Sequence, residues 1–210
     1  MDTSRRTAGL GLLTFGLGTL IAFLAIGSPG GEYSNAGVTS YIASGHAALA
    51  FASAYLGCVA ALGLLVFGRR MRSEVRSSGD LLWGLCVAGT ATAVTGWFIV
   101  GGVAVSFAEG GSGLAAVPHP VVYLLTEIGN LIAGGATAFL VGVAALILGA
   151  RSSMPLGLRV FSYVGGVAGI LAAFYFPLPI YFLWAIVVGG WLIATGARDA
   201  EPAPREVQPA

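Results

Sequence analysis

Six stretches of about 20 or more mostly apolar residues follow one another along the chain, and that alone fixes the solvent in which it must fold, since about 20 such residues span the hydrocarbon core as helix. They run from Ala8 to Gly27, Gly45 to Gly68, Leu81 to Phe107, Val121 to Ala150, Leu158 to Phe176 and Ile180 to Ala197. The fifth and sixth are parted only by Pro177-Leu178-Pro179. Two prolines so close remove backbone donors and oppose continuous helix, so a tight turn is expected there.

The basic residues supply the topology. All ten are arginines, and they lie only at the two termini and in alternate gaps: Arg5 and Arg6; Arg69, Arg70, Arg72 and Arg76; Arg151 and Arg159; Arg198 and Arg205. Short loops rich in Arg stay on the cytoplasmic side of a membrane, so this spacing predicts an all-α, polytopic bundle of six transmembrane helices with both termini inside. If the double-proline break did not turn the chain, Arg159 and Arg198 would fall on opposite faces. Residues 198–210, rich in Pro, Ala and Glu, read as a disordered cytoplasmic tail. The first segment resembles a secretory signal ending near Ala25-Ile26-Gly27, but its apolar length is that of a span, and an uncleaved anchor is expected.

Composition agrees and excludes several classes. The chain is 57% hydrophobic and 9% charged with a mean hydropathy of +0.89, too apolar for one water-soluble core. A net charge of +1 without a basic cluster on one face excludes a nucleic-acid surface. The absence of Lys rules out a retinal Schiff base and a P-loop, and neither a GxSxG elbow nor an HExxH pair is present. Cys58 and Cys86 form no CxxC motif. They are expected to pack as small apolar residues, with a contact between them open. Exclusive use of Arg, with abundant Ala, Gly and Val, suggests a GC-rich bacterial genome and hence the bacterial cytoplasmic membrane.

Small residues four apart let membrane helices approach closely. Gly84, Ala88, Thr92 and Gly96 make such a ridge in the third segment, flanked by Gly89, Ala93 and Gly101. Gly134, Ala138 and Gly142 do so in the fourth, and Gly165, Gly169 and Ala173 in the fifth. These are expected to be seams of one bundle, with a homo-oligomer contact as the alternative. Tyr33, Tyr41, Phe107, Tyr123, Tyr175, Phe176, Tyr181 and Phe182 are expected to form an aromatic belt at the outer headgroups.

Few residues carry chemistry. Glu127 is the one acid well inside an apolar segment, Asn130 shares its helical face at i+3, and an ionisable group in a span points to function by default. With His46 across the bundle, Glu127 and Asn130 would make a polar pocket for a carried ion or small molecule. His46 and His119 are both expected near the outer face, where with a carboxylate they would suit a metal or redox site. No cofactor is expected. The leading expectation is a non-enzymatic structural, regulatory or accessory membrane protein whose partners are the bilayer and another membrane protein or a second copy.

Ser40-Tyr41 with His46 and Tyr55-Leu56, Glu127-Ile128-Gly129-Asn130-Leu131, and the stretch from Pro177 to Gly190 with Trp184 give the chain a family likeness. It resembles the bacterial six-helix integral membrane proteins of the DUF4386 type. The resemblance implies the six-helix fold and brings no activity with it.

Overall fold

The computed structural model describes residues 3–26, 47–114, 117–174 and 177–198. Among these every regular element is helical: α1 (Thr3–Ile26), α2 (Ala47–Met71), α3 (Gly79–Leu114), α4 (His119–Asn130), α5 (Thr137–Arg151), α6 (Leu156–Ile170) and α7 (Leu178–Arg198). A π-helical turn, Leu131–Ala136, joins α4 to α5 into one long fourth span, and α6 ends in a 3-10 turn, Leu171–Phe174. The described residues thus contain six helical spans long and apolar enough to cross a membrane, the fourth running from Pro120 to Arg151. The turn between the last two spans falls where the prolines put it. The amides of Ile180 and Tyr181 donate to the carbonyl of Pro177, and Pro179 sits in the first turn of α7, where its missing N–H costs nothing.

The helices stand in chain order around a ring. α1 packs on α2, α2 on α3, α3 on the fourth span, α5 on α6 and α6 on α7, and α7 closes the ring on α1. The middle is filled by large side chains: Leu12 and Phe15 of α1, Phe67 of α2, Leu82 of α3, Leu148 of α5, and Tyr181 and Trp184 of α7. A smaller cluster surrounds Trp97 with the alanines 22, 50, 54, 61, 93 and 133. Phe23 joins the two, its ring 4.8 Å from that of Trp97 and 6.1 Å from that of Phe182. The outward faces carry Leu10, Ile21, Leu24, Phe51, Tyr55, Phe98, Leu156 and Phe174, all exposed. Side chains of this kind all round a bundle are what lipid solvates.

Close backbone contact makes the seams. A Cβ on Gly11 would lie 2.6 Å from the carbonyl oxygen of Gly63, and one on Gly9 the same distance from that of Gly189, so α1 touches both neighbours through bare backbone. Gly142 meets Gly166 in the same way between α5 and α6, at 2.7 Å. Of the expected ridge on α3, Gly96 lies against Gly129 and Ala133 as foreseen, but Gly84 meets nothing and faces outward. The ridge winds around α3, because residues four apart drift by about 40° at 3.6 residues per turn. The sequence reading did not single out the α1 seams.

Arginines gather at one end of the described bundle. Arg5, Arg69, Arg70, Arg72, Arg151, Arg159 and Arg198 belong to helix ends and turns that the antiparallel packing gathers at one end. There Arg5 donates to Glu74 through Nε (3.2 Å) and Nη2 (3.0 Å), both side chains about three-quarters buried, and Arg72 pairs with Asp80. Arg159 donates from Nε to the carbonyl of Gly149 (2.9 Å), capping the end of α5.

Candidate functional site

The fourth span carries three of the buried polar residues, Thr126, Asn130 and Thr137. Asn130, the last residue of α4, is 5% exposed, and its Oδ1 has no hydrogen-bond partner among the described residues. It stands at the entry to the π-turn, a winding that often accompanies functional sites. The far end of that turn is tied down. The backbone N–H of Thr137 donates to the carbonyl of Ile132, and its hydroxyl donates to the same oxygen (3.2 Å). The Thr137 hydroxyl also lies 3.0 Å from that of Thr92 on α3. Thr126 is buried but satisfied locally, donating to the carbonyl of Val122.

Of the expected pocket, Asn130 faces inward, whereas Glu127 is half-buried on the flank of the same helix and has an interaction of its own. His46 lies outside the described residues. His119 opens α4, but its side chain is likewise outside them. The structure therefore brings neither the Glu127–Asn130–His46 pocket nor the His46–His119 pair into view as a unit. Among the described residues no group of three His, Cys, Asp or Glu is placed to share a metal ion. The tail, residues 199–210, and the expected belt residues Tyr33, Tyr41, Tyr175 and Phe176 are outside them too, as is the side chain of Phe107.

One expectation is corrected. Tyr181 and Phe182 do not join an interfacial belt: they are 1% and 4% exposed and point into the ring, where Phe15 and Trp184 hold the Tyr181 ring. Tyr181 precedes Trp184 by three residues and shares its inward face, a spacing visible in the sequence but overridden there by nearness to Pro179. The contact left open between Cys58 and Cys86 is not made. The Cys58 Sγ lies 3.9 Å from the carbonyl oxygen of Val94, whereas Cys86 packs against Gly68, and both are free thiols.

The structure adds residues that the sequence did not mark. Thr19 Oγ1, Trp97 Nε1 and Tyr181 Oη, on α1, α3 and α7, are buried without a hydrogen-bond partner among the described residues. Leaving such a group unpaired in a low-dielectric interior costs about 1–3 kcal/mol. Together with Asn130 they put polar atoms on four spans facing the packed interior. A lone Thr, Trp or Tyr in an apolar run gives no sequence signal of this, since its direction depends on how the ring closes.

Outside the interior there are clefts of two kinds. Between α2 and α3 a lipid-side groove of about 240 Å³ is lined by Phe51, Tyr55, Cys58, Trp97 and Phe98. At the arginine end a polar cleft of about 620 Å³ opens between the α2–α3 and α5–α6 turns. The chain matches no family model, no curated protein and no solved structure.

Proposed function

We propose that this is a non-enzymatic, multi-pass protein of the bacterial cytoplasmic membrane, a structural, regulatory or accessory component that works through a partner rather than as a conduit. The observation that carries this reading is the filled ring: Leu12, Phe15, Leu82, Tyr181 and Trp184 occupy the centre at 0–1% exposure. Side chains packed to that degree resist the rearrangement that passage of a solute would require. The arginine-rich end supports a cytoplasmic location for both termini. A C-terminal fusion is then fluorescent as green fluorescent protein and inactive as alkaline phosphatase. The resemblance to the DUF4386 type fits the same layout.

The test is extraction of the tagged full chain in mild detergent. A stoichiometric, salt-resistant partner is expected, whereas solute flux by the reconstituted protein alone would overturn the reading. A second reading, a small-molecule or ion carrier, draws support from the unpaired Asn130 Oδ1 beside the π-turn. In it the turn would rewind and open a polar path toward Glu127. Flux that is lost in both Asn130→Leu and Glu127→Gln would establish it.

A further inference from the structure

The arginine-end cleft combines the groups that bind phosphate. Ser73 and Ser77 come from the turn after α2, Arg151 closes α5, and Ser152 and Ser153 follow it. Four serines and one arginine thus line it from two turns far apart in sequence, together with the fully buried Val75. Hydroxyl donors beside a planar, permanently charged guanidinium are a recurring answer to a tetrahedral oxyanion.

Two features argue that the cleft is suited to an anion rather than merely polar. The Ser152 Oγ is buried and has no hydrogen-bond partner among the described residues, so it keeps an O–H to donate. Its backbone N–H is already used on the carbonyl of Leu148, which holds the residue in place. The one carboxylate in the lining, Glu74, is engaged through both oxygens by Arg5, which offsets its charge. Arg151 itself is exposed, and among the described residues it forms no ion pair that would have to be broken first.

A second cleft adjoins the first, shares Ser73 and Ser77 with it, and is walled by Arg69, Arg72 and Asp80, the last two paired with each other. The serine turn is therefore flanked by guanidinium groups on both sides. This lies at the ends of the spans, the depth at which lipid phosphates sit, and basic pockets between helix ends commonly receive anionic headgroups.

We infer that the cleft formed by Ser73, Ser77, Arg151, Ser152 and Ser153 is a binding site for a phosphate-bearing anion, whether an anionic phospholipid headgroup or a soluble phosphate. The full chain in dodecyl maltoside is titrated with dioctanoyl phosphatidylglycerol, with dioctanoyl phosphatidylcholine and with inorganic phosphate, following tryptophan fluorescence and the thermal midpoint. Saturable binding of the phosphatidylglycerol but not of inorganic phosphate identifies a lipid site, and saturable binding of both identifies a soluble phosphate. Arg151→Gln is expected to weaken either by about tenfold, as loss of one charge-assisted contact does. Ser152→Ala, which removes only the hydroxyl, is expected to weaken it by about threefold with an unchanged midpoint in the absence of ligand. The control is Arg6→Gln, an exposed arginine at the same end that does not line the cleft. Binding that is equal for phosphatidylcholine, absent for all three ligands, or weakened as much by Arg6→Gln as by Arg151→Gln would overturn the assignment.

Discussion

Trp184 and Trp97 are buried by the same device and differ in one bond. Each indole is fully buried and packs against a glycine of a neighbouring helix, Trp184 on Gly165 and Trp97 on Gly57. The Trp184 Nε1 donates to the buried Ser162 hydroxyl at 3.1 Å, while the Trp97 Nε1 has no partner among the described residues. Around Trp184 the α6–α7 corner is thus packed, with the indole N–H satisfied and the Tyr181 hydroxyl unpaired among the described residues. Around Trp97 lie alanines, among them Ala133 of the π-turn that Asn130, with its own unpaired oxygen, precedes. The first indole is anchored by its hydrogen bond, whereas the second has an unpaired N–H beside an irregular winding.

The glycines under the two rings give the largest expected effects. A Cβ at either position would enter the indole, so Gly165→Leu and Gly57→Leu must displace a whole ring. Overpacking of this kind costs about 1–3 kcal/mol or more. Gly165→Leu is expected at the top of that range, because Tyr181 stacks on Trp184 with ring centres 6.3 Å apart and blocks its retreat. Gly57→Leu is expected to cost less, since Trp97 borders a lipid-side groove of about 240 Å³ into which it can shift. Thermal unfolding in detergent reads the order directly. Equal losses would mean that the Trp97 corner is as rigid as the other.

The hydrogen bond comes next. Ser162→Ala leaves the Trp184 N–H without an acceptor and should cost about 1–3 kcal/mol. Trp184→Phe loses the same bond and strands the Ser162 hydroxyl, whereas Trp97→Phe removes a donor that had no partner. The Trp184 variant is therefore expected to melt lower than the Trp97 variant, although each deletes the same ring volume. The reverse order would show that Trp97 finds an acceptor in the membrane.

Within the fourth span the comparison predicts opposite signs. Thr137→Val breaks the hydroxyl contacts to Thr92 and to the Ile132 carbonyl, and interhelical bonds of this kind average about 0.6 kcal/mol in membranes. Asn130→Leu replaces a buried amide that has an unpaired oxygen by an apolar group of similar size, a change that is often neutral or stabilising. A fall for Thr137→Val with a rise for Asn130→Leu would mark Asn130 as kept at a cost to stability, the usual sign of a functional group. A fall for both would make Asn130 structural.

How much of this was legible follows from what each feature depends on. Span number and the gathering of arginines at one end are local: apolar run length and the charges of short loops decide them, and the Pro177 and Pro179 break was readable because proline acts on its own backbone. Side-chain direction is not local. Tyr181 looked interfacial by position and is central because α7 closes the ring on α1, and the Gly11–Gly63 contact depends on two helices meeting at one height. Glu127 drew attention because charge is conspicuous in an apolar run. Asn130 was noticed as its neighbour, yet it is the one whose side chain the interior leaves unpaired, and the π-turn after it has no residue signature at all in Leu-Ile-Ala-Gly-Gly-Ala.

The smallest expected effect tests the packing most cleanly. Gly84 heads the small-residue ridge of α3, a position at which the sequence alone would forbid a large side chain, yet a Cβ there meets nothing within 4 Å. In a monomeric ring Gly84→Leu therefore places an apolar side chain in lipid, where it is solvated as well as its neighbour Leu81, itself 58% exposed. The change in melting midpoint should correspond to less than about 0.5 kcal/mol, as for other substitutions that touch nothing. Should two copies instead meet along this face, the same substitution would separate helices brought together by the absence of a side chain and convert a dimer into a monomer in size-exclusion chromatography. The two outcomes differ in kind rather than degree. A silent Gly84→Leu beside a disruptive Gly165→Leu would confine the small-residue seams to the inside of the ring.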